Sequence, residues 1–323
     1  MVRYEVHAFS ADDIDEATRL LTERHRHQRR AIFALDRKYE EAAAAREQLS
    51  ALLGRSSASG AIAFVQGRAS AFVLGGRRPD STWGPNIWIE DAGSAGTDAE
   101  AIREAYAAAA GQWVDEGRTS HFVVVPATEP RVLEAWFSLG FGKQQVHAVR
   151  EPVWREFVPA LGEGVTIRRA TRDDIPSLAE LDVVLPQHQT GTAVFSRLPI
   201  PTVEEALADI EADFDNPSYA TFVAEHAGRI VGAAIGCSLE LSPGHTPLMR
   251  PRSAGFLGFA AVRPSARGLG VGRALGETII AWSRDEGYEW VATDWRSTNV
   301  QANRSWLALG FRPTFYRLHR VIV

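Results

Sequence analysis

The sequence predicts an α/β fold built twice over in one chain. Two observations point to it. The first is internal repetition. SADDID at Ser10–Asp15 matches TRDDIP at Thr171–Pro176, and AFVQGRASAFVLG from Ala63 matches VAEHAGRIVGAAIG near Val223, both at an offset of 161 residues. DEG at Asp115–Gly117 matches DEG at Asp285–Gly287, and EAWFSLGF ending at Phe141 matches RSWLALGF ending at Phe311, both at an offset of 170. The second is alternation: in each copy β-rich runs alternate with helical patterns. The copies span 1–152 and 163–323, joined by EPVWREFVPALGEG at Glu151–Gly164, and the second holds nine extra residues between its third strand and the helix ending near Asp285.

The second copy shows the elements in order. VTIRRA is a strand, and the helix after it opens with the capping spacing Thr171…Asp174. Further helical sequence follows. In VEEALADIEADFD, Val203, Leu207, Ile210 and Phe214 form a helical stripe, which leaves the six acids mainly on a solvated face. ATFVAEHAGRIVGAAIGC is two β-rich runs joined at Ala227-Gly228, a hairpin signal. SAGFLGFAAV is almost continuously apolar, as a central strand buried on both faces would be. A helix from about Leu269 to Arg284, the strand EWVATDW, a short helix at Ala302–Leu309 and the strand FYRLHRVIV complete the copy. In the first copy, RHRHQRR at Arg24–Arg30 reads as a solvated helix. Its histidines, at i and i+2, lack the spacing of helical metal ligands, and no metal centre is expected.

Composition narrows the class. With 45% hydrophobic and 23% charged residues the chain reads as a soluble globular protein. No apolar run approaches the roughly 18–20 residues of a membrane helix, and the N-terminus lacks a signal-peptide layout. The lone Cys237 excludes an internal disulfide, a CxxC redox pair and a cysteine-rich zinc site. A cytoplasmic protein is expected. The net charge of −5 hides an asymmetry: from residue 250 onward 11 arginines face 5 acids, so that segment is +6 and the rest −11. A local basic field in an acidic protein suits a phosphorylated small molecule better than nucleic acid. No nucleic-acid or membrane partner is expected, and a monomer and a homodimer are both open.

The basic segment contains ARGLGVGRALG, Ala266–Gly276. A dinucleotide fingerprint needs GxGxxG/A, and neither frame fits, with Arg273 and Leu275 in the sixth positions. A phosphate loop of the Walker type needs a lysine, and none follows Lys143. What remains is a buried strand turning straight into a helix through glycines. Without Cβ atoms the successive N–H groups can converge on one concavity, and the helix dipole adds positive potential. This is a diphosphate cradle flanked by Arg267 and Arg273.

The same residues give a resemblance. Arg267-Gly268-Leu269-Gly270-Val271-Gly272 fits the (Q/R)xxGx(G/A) signature of the GCN5-related N-acetyltransferases (GNAT). Asn299, Ala302, Trp306, Gly310 and Phe311 are similar to that family's NxxAxxxYxxxGF segment, with Trp in place of Tyr. The resemblance covers residues 165–323. It implies two tandem domains, each with a mixed, largely antiparallel central sheet flanked by helices. At the cradle the first copy has Thr97, Glu100 and Ile102 where the second has Arg267, Gly270 and Gly272, and so resembles a degenerate domain.

The resemblance also implies roles. Acetyl-CoA is the expected cosubstrate, with no metal. The main chain at Ala261 and Val262 would pair with the pantetheine arm, the amides from Gly268 through Arg273 would hold the pyrophosphate, and Asn299 would bond to the arm. The acceptor is a primary amine of a small molecule or peptide. Glu240, His245 and Asp294 are candidate bases and Tyr316 a candidate acid. Each base has a plainer role open to it: a solvated strand end, a loop residue, and a partner for Arg296 or Arg317. Arg296 and Trp306 are assigned to the substrate pocket, although Arg296 is as well suited to holding the C-terminal strand. Because Trp306 cannot act as an acid and no base is obvious, a non-catalytic acetyl-CoA sensor or scaffold is the alternative.

Overall fold

In both copies the first strand ends in a capping box. Asp13 accepts a hydrogen bond from the Ser10 backbone N–H at 2.8 Å, and Asp174 from that of Thr171 at 2.8 Å. Each acid thus pairs a donor at the entry to the next helix. The computed structural model describes residues 3–153, 161–196 and 198–323, so most of the expected connection lies outside the described residues. The chain forms two units. Residues 1–146, 246–252 and 313–323 make the first, and 147–245 with 253–312 make the second.

The first unit runs β1 (Glu5–Ala8), α1 (Ile14–Ala31), α2 (Ala42–Leu53), β2 (Ser59–Val65), β3 (Arg68–Gly75), α3 (Asp80–Trp83), β4 (Asn86–Ile89), β5 (Ser94–Gly96), α4 (Ala99–Asp115), β6 (Ser120–Pro126) and α5 (Pro130–Ser138), and the chain leaves it within β7 (Gly142–Arg150). Strands β1, β2, β3 and β5 pair antiparallel in that order, while β4 pairs in parallel with β6. The β2–β3 turn places Gln66 and Gly67 at φ 50° and 75°, the primed geometry that matches strand twist. Helices cover both faces. Tyr106 and Trp113 of α4 join Val73, Val123 and Trp136 in one core, and Leu20, Leu21 and Leu49 of α1 and α2 meet Phe72 in the other.

Helix α1 departs from the solvated helix that the sequence predicts at Arg24–Arg30. His25 and Gln28 are wholly buried. The His25 ring meets the Asp36 carbonyl at 2.8 Å, and burial drives its pKa down to about 4. Arg24 donates to the carbonyls of Asp91 and Ser94 at 2.6 and 2.5 Å, where β4 stops pairing with β6 and β5 takes up β3. The charge pattern conceals this because an arginine stem can cross apolar surface before its head finds acceptors.

The second unit runs β8 (Val165–Arg169), α6 (Ile175–Asp182), α7 (Val184–Gly191), α8 (Val203–Asp213), β9 (Tyr219–His226), β10 (Arg229–Ser238), β11 (Ala254–Val262), α9 (Val271–Asp285), β12 (Trp290–Arg296) and α10 (Val300–Ala308). Strands β8 to β11 pair antiparallel in order, and β11 pairs in parallel with β12. The β9–β10 turn repeats the first unit's geometry, with Ala227 and Gly228 at φ 50° and 72°. On one face Ala233 joins Leu178, Leu181 and Val223, with Ile210 of α8 and Phe214 just after it against them; Val203, the first member of the expected stripe, is 40% exposed. On the other face lies α9. A Cβ at Gly232 would sit 2.9 Å from Val271, so the absent side chain sets the helix–sheet distance. The C-terminal strand β13 (Arg312–Val321) pairs antiparallel with β6 in the first unit, Phe315 opposite Pro126 through Val321 opposite Ser120. The architecture is that of two tandem α/β domains with mixed, largely antiparallel sheets.

Candidate active site

Strand β11 makes the site by changing neighbours along its length. It pairs with β12 only through Ala254–Leu257, but with β10 as far as Val262. Beyond Leu257 the two parallel strands part. Thr293 closes the fork by donating its hydroxyl to the Leu257 carbonyl at 3.0 Å. Gly258 is the extra residue of a bulge, since Ile235 faces Phe259 and Gly236 faces Leu257. The sequence predicts a strand buried on both faces; instead Gly258 is exposed and Phe259 and Ala260 half-buried, because here the strand borders a cleft.

The cleft has a volume of about 610 Å³ and lies within the second unit. It is lined by β11 from Leu257 to Val262 and by the start of α9. Gly268 and Gly270 stand at φ 85° and 74°, the left-handed region that costs an L-residue about 1–2 kcal/mol. Gly270 is the N-cap and has no side chain to cap with, and the helix's first ladder bond runs from Ala274 N–H to the Gly270 carbonyl at 3.0 Å. The amides of the first turn therefore have no acceptor within the helix, and the positive end of the dipole opens on the cleft.

The matching helix of the first unit starts differently. At α4 the Asp98 carboxylate accepts from the Glu100 N–H at 3.2 Å, and the Thr97 N–H bonds to the Ser70 carbonyl at 2.9 Å. An anion of the chain already occupies the helix start there.

Of the residues singled out from sequence, Ala261, Val262, Arg267, Gly268, Gly270, Val271, Gly272, Arg273, Asp294, Arg296, Asn299 and Trp306 line this one cleft. Leu269 does not; its carbonyl accepts from Gly162 N–H at 3.0 Å and its side chain packs on Gly162. Glu240 is exposed and lines a separate depression with Arg169, Trp282 and Tyr288. Tyr316 lies in the first unit, opposite Val125, with the Lys143 ammonium 3.7 Å from its ring centre. His245 is buried and does not line the cleft, but its Nδ1 lies 3.8 Å from the Asp294 carboxylate, which does.

Asp294 is the one carboxylate among the described lining residues, against Arg267, Arg273, Arg296 and Arg304. Burial lowers the Arg296 pKa, opposed by the Asp294 charge. Asn299 caps α10, accepting from Ala302 N–H at 3.1 Å. The Trp306 ring packs so closely on α9 that a Cβ at Gly276 would lie 3.0 Å from it. The sequence reading missed His188 of α7. Its Nδ1 lies 3.5 Å from Arg267, and burial, followed by the Arg267 charge, lowers its pKa. It also missed His147, whose Nδ1 lies 3.2 Å from His245 Nε2. Neither had a local signal, since each meets its partner only through the fold.

Residues 191–311 match the family model described as "Acetyltransferase (GNAT) family". An aminoglycoside N(6')-acetyltransferase type 1 of Stenotrophomonas maltophilia is 33% identical over 150 residues, which is 46% of this chain and 87% of that protein. Among solved structures, a GCN5-related N-acetyltransferase from Sphaerobacter thermophilus aligns with a TM-score of 0.58 at 16% identity, over 98% of this chain and 95% of that one. A glucosamine N-acetyltransferase region in a fungal multi-domain β-N-acetylglucosaminidase aligns with a TM-score of 0.53 at 13% identity, over 99% of this chain and 38% of that one. These two show the fold. The family model and the relative from Stenotrophomonas maltophilia show more: the chain belongs to the GNAT family of acetyltransferases and is an N-acetyltransferase.

Proposed function

We propose that the second unit transfers the acetyl group of acetyl-CoA directly to a primary amine of a small cationic molecule. The observation that carries this reading is the fork between β11 and β12 opening onto an uncapped helix start. Strand main chain unpaired on its β12 side and a diphosphate cradle border one cleft. In this reading the strand main chain around Ala261 and Val262 holds the pantetheine arm. The first turn of α9, with Arg267 and Arg273, holds the pyrophosphate, and Asn299 supports the arm. A main-chain N–H at the fork polarises the acetyl carbonyl, an oxyanion-type contribution.

The acceptor presents a second problem. An alkylammonium has a pKa of about 10.4, so freeing the amine at pH 7 costs about 4–5 kcal/mol. In this reading Asp294, the carboxylate among the described lining residues, holds the ammonium and draws its proton as the nitrogen approaches the thioester. Glu240 lies in a separate depression and has no part in this step. Trp306 forms a wall, and the departing thiolate takes its proton from solvent. The identity to an aminoglycoside acetyltransferase makes aminoglycosides the first acceptors to test.

The experiment is a thiol-release assay with acetyl-CoA over a panel of aminoglycosides, polyamines and peptide N-termini. Turnover with at least one cationic amine is expected. In Asp294→Asn, kcat/KM for that amine should fall about 10²–10⁴-fold, the range of a lost acid–base group, while acetyl-CoA affinity stays within about twofold. Tight acetyl-CoA binding with no turnover on any amine would overturn the transferase reading of this cleft.

A further inference from the structure

Beside Asp294 two histidines meet, neither of them among the residues that line the cleft. His147 Nδ1 lies 3.2 Å from His245 Nε2, with the rings 4.8 Å apart and at 89° to one another. The Asp294 Oδ2 atom lies 4.0 Å from His147 Nδ1 and 3.8 Å from His245 Nδ1. One donor atom from each of the three residues falls within 4.8 Å of the others. The histidine side chains are 3% exposed and Asp294 is 21% exposed. On the far side of the His245 ring, the Ser242 hydroxyl bonds to Nδ1 at 2.8 Å.

We propose that His147, His245 and Asp294 form a zinc site in the second unit, in which the ion takes the carboxylate that faces the cleft. Four features of the cluster support this. Zinc bonds to nitrogen and carboxylate oxygen are about 2.0–2.2 Å, so two ligands of a tetrahedral ion stand about 3.3–3.5 Å apart. The histidine pair is already at 3.2 Å, and Asp294, with its Oδ2 4.0 Å from His147 Nδ1 and all three donor atoms within 4.8 Å of one another, has to move inward to complete the set. The Ser242 hydroxyl engages Nδ1 of His245, which fixes the ring and turns Nε2 toward His147, the outer-shell arrangement usual for a metal-ligating histidine. Two imidazoles and one carboxylate are a nitrogen-rich set that favours zinc over magnesium or calcium. Three protein ligands leave a fourth position for water, on the side where Asp294 reaches the cleft. Bound zinc would occupy the carboxylate assigned above to the acceptor's ammonium, and so would inhibit transfer competitively with the amine. That consequence rests on the proposed function, whereas zinc binding itself does not.

Calorimetric titration of the chelator-stripped protein with zinc chloride, without acetyl-CoA, tests the site. One zinc per chain is expected, with a dissociation constant in the micromolar range or tighter. The cobalt(II)-loaded protein should show the visible spectrum of a four-coordinate ion. His147→Ala and His245→Ala should each weaken binding at least tenfold, and Ser242→Ala about 10- to 100-fold, as expected for an outer-shell partner. Asp294→Asn provides a third ligand variant if a histidine variant fails to fold, and it should also lose the four-coordinate cobalt spectrum. Absence of binding tighter than about 100 μM, or unchanged binding in the variants that fold, overturns the site. Zinc that binds as described yet leaves the KM for the amine unchanged overturns the inhibitory consequence and Asp294's role at the acceptor together, and leaves the site standing.

Discussion

At Gly270 one φ angle serves two purposes. The left-handed N-cap lets the chain turn from strand into helix, and the missing side chain leaves the first-turn amides clear. The two effects separate by substitution. Gly270→Ala should cost about 1–2 kcal/mol of stability from left-handed strain, read as a lowered denaturation midpoint. Gly270→Glu adds a like charge where the diphosphate would sit, and should abolish acetyl-CoA binding by calorimetry while the fold persists. Arg267→Ala should be milder, losing one charge-assisted bond of about 1.5–3 kcal/mol, or roughly 10- to 100-fold in affinity. If both Gly270→Glu and Arg267→Ala bind normally, the cradle lies elsewhere. His25 makes a prediction of a different kind. Burial holds it neutral in the folded chain, with a pKa of about 4 against about 6.5 when unfolded. Unfolding therefore takes up a proton between those values. The contribution is full above pH 6.5 and is lost as pH falls toward 4, by order of 3 kcal/mol. Urea titrations at pH 7 and pH 4.5 should show that loss in the native protein and a flatter response in His25→Gln. The glycines could be read in the sequence because their purpose is local. The burial of His25 could not, since it depends on what the fold lays across the helix.

Among the elements, helix starts divide the two copies more sharply than strands do. The hairpins and capping boxes repeat, and each is written in a few adjacent residues. That is why the duplication and the α/β class were legible. The α4 start carries Asp98, engaged with Glu100 N–H and with the Tyr4 hydroxyl at 2.5 Å, whereas the N-cap of α9 is a glycine with no side chain to engage its amides. One acetyl-CoA per chain is therefore the expected stoichiometry, and two equivalent sites in a calorimetric titration would contradict it. The bend of β11 away from β12 was less legible. An apolar run shows that a strand is central, but not at which residue its neighbour departs. That residue, Leu257, is set by the bulge at Gly258 and by the Thr293 hydroxyl. Trp306 belongs to this scale too, because it fills the space between α9 and α10. Trp306→Phe should keep most turnover. Trp306→Ala should lose about 3–5 kcal/mol, shared between stability and ligand affinity, seen as a lower melting temperature together with a raised KM.

For the whole molecule, the cleft lies in the unit whose residues match the family model, and its wall residues come from positions 184–306. The zinc cluster was invisible at the level of motifs because its members stand at 147, 245 and 294, on separate elements. The pairing of β13 with β6 has a consequence for the order in which the protein is made. Strand β6 ends at Pro126 and β13 begins at Arg312. On a ribosome adding about 5–20 residues per second, β6 waits about 10–40 s for the strand that pairs with it. For that interval the first unit has an open β-edge, a template for wrong pairing. Nascent chains halted before β13 should thus be protease-sensitive in the first unit and bind chaperones, and should lose both properties once the last strand is released.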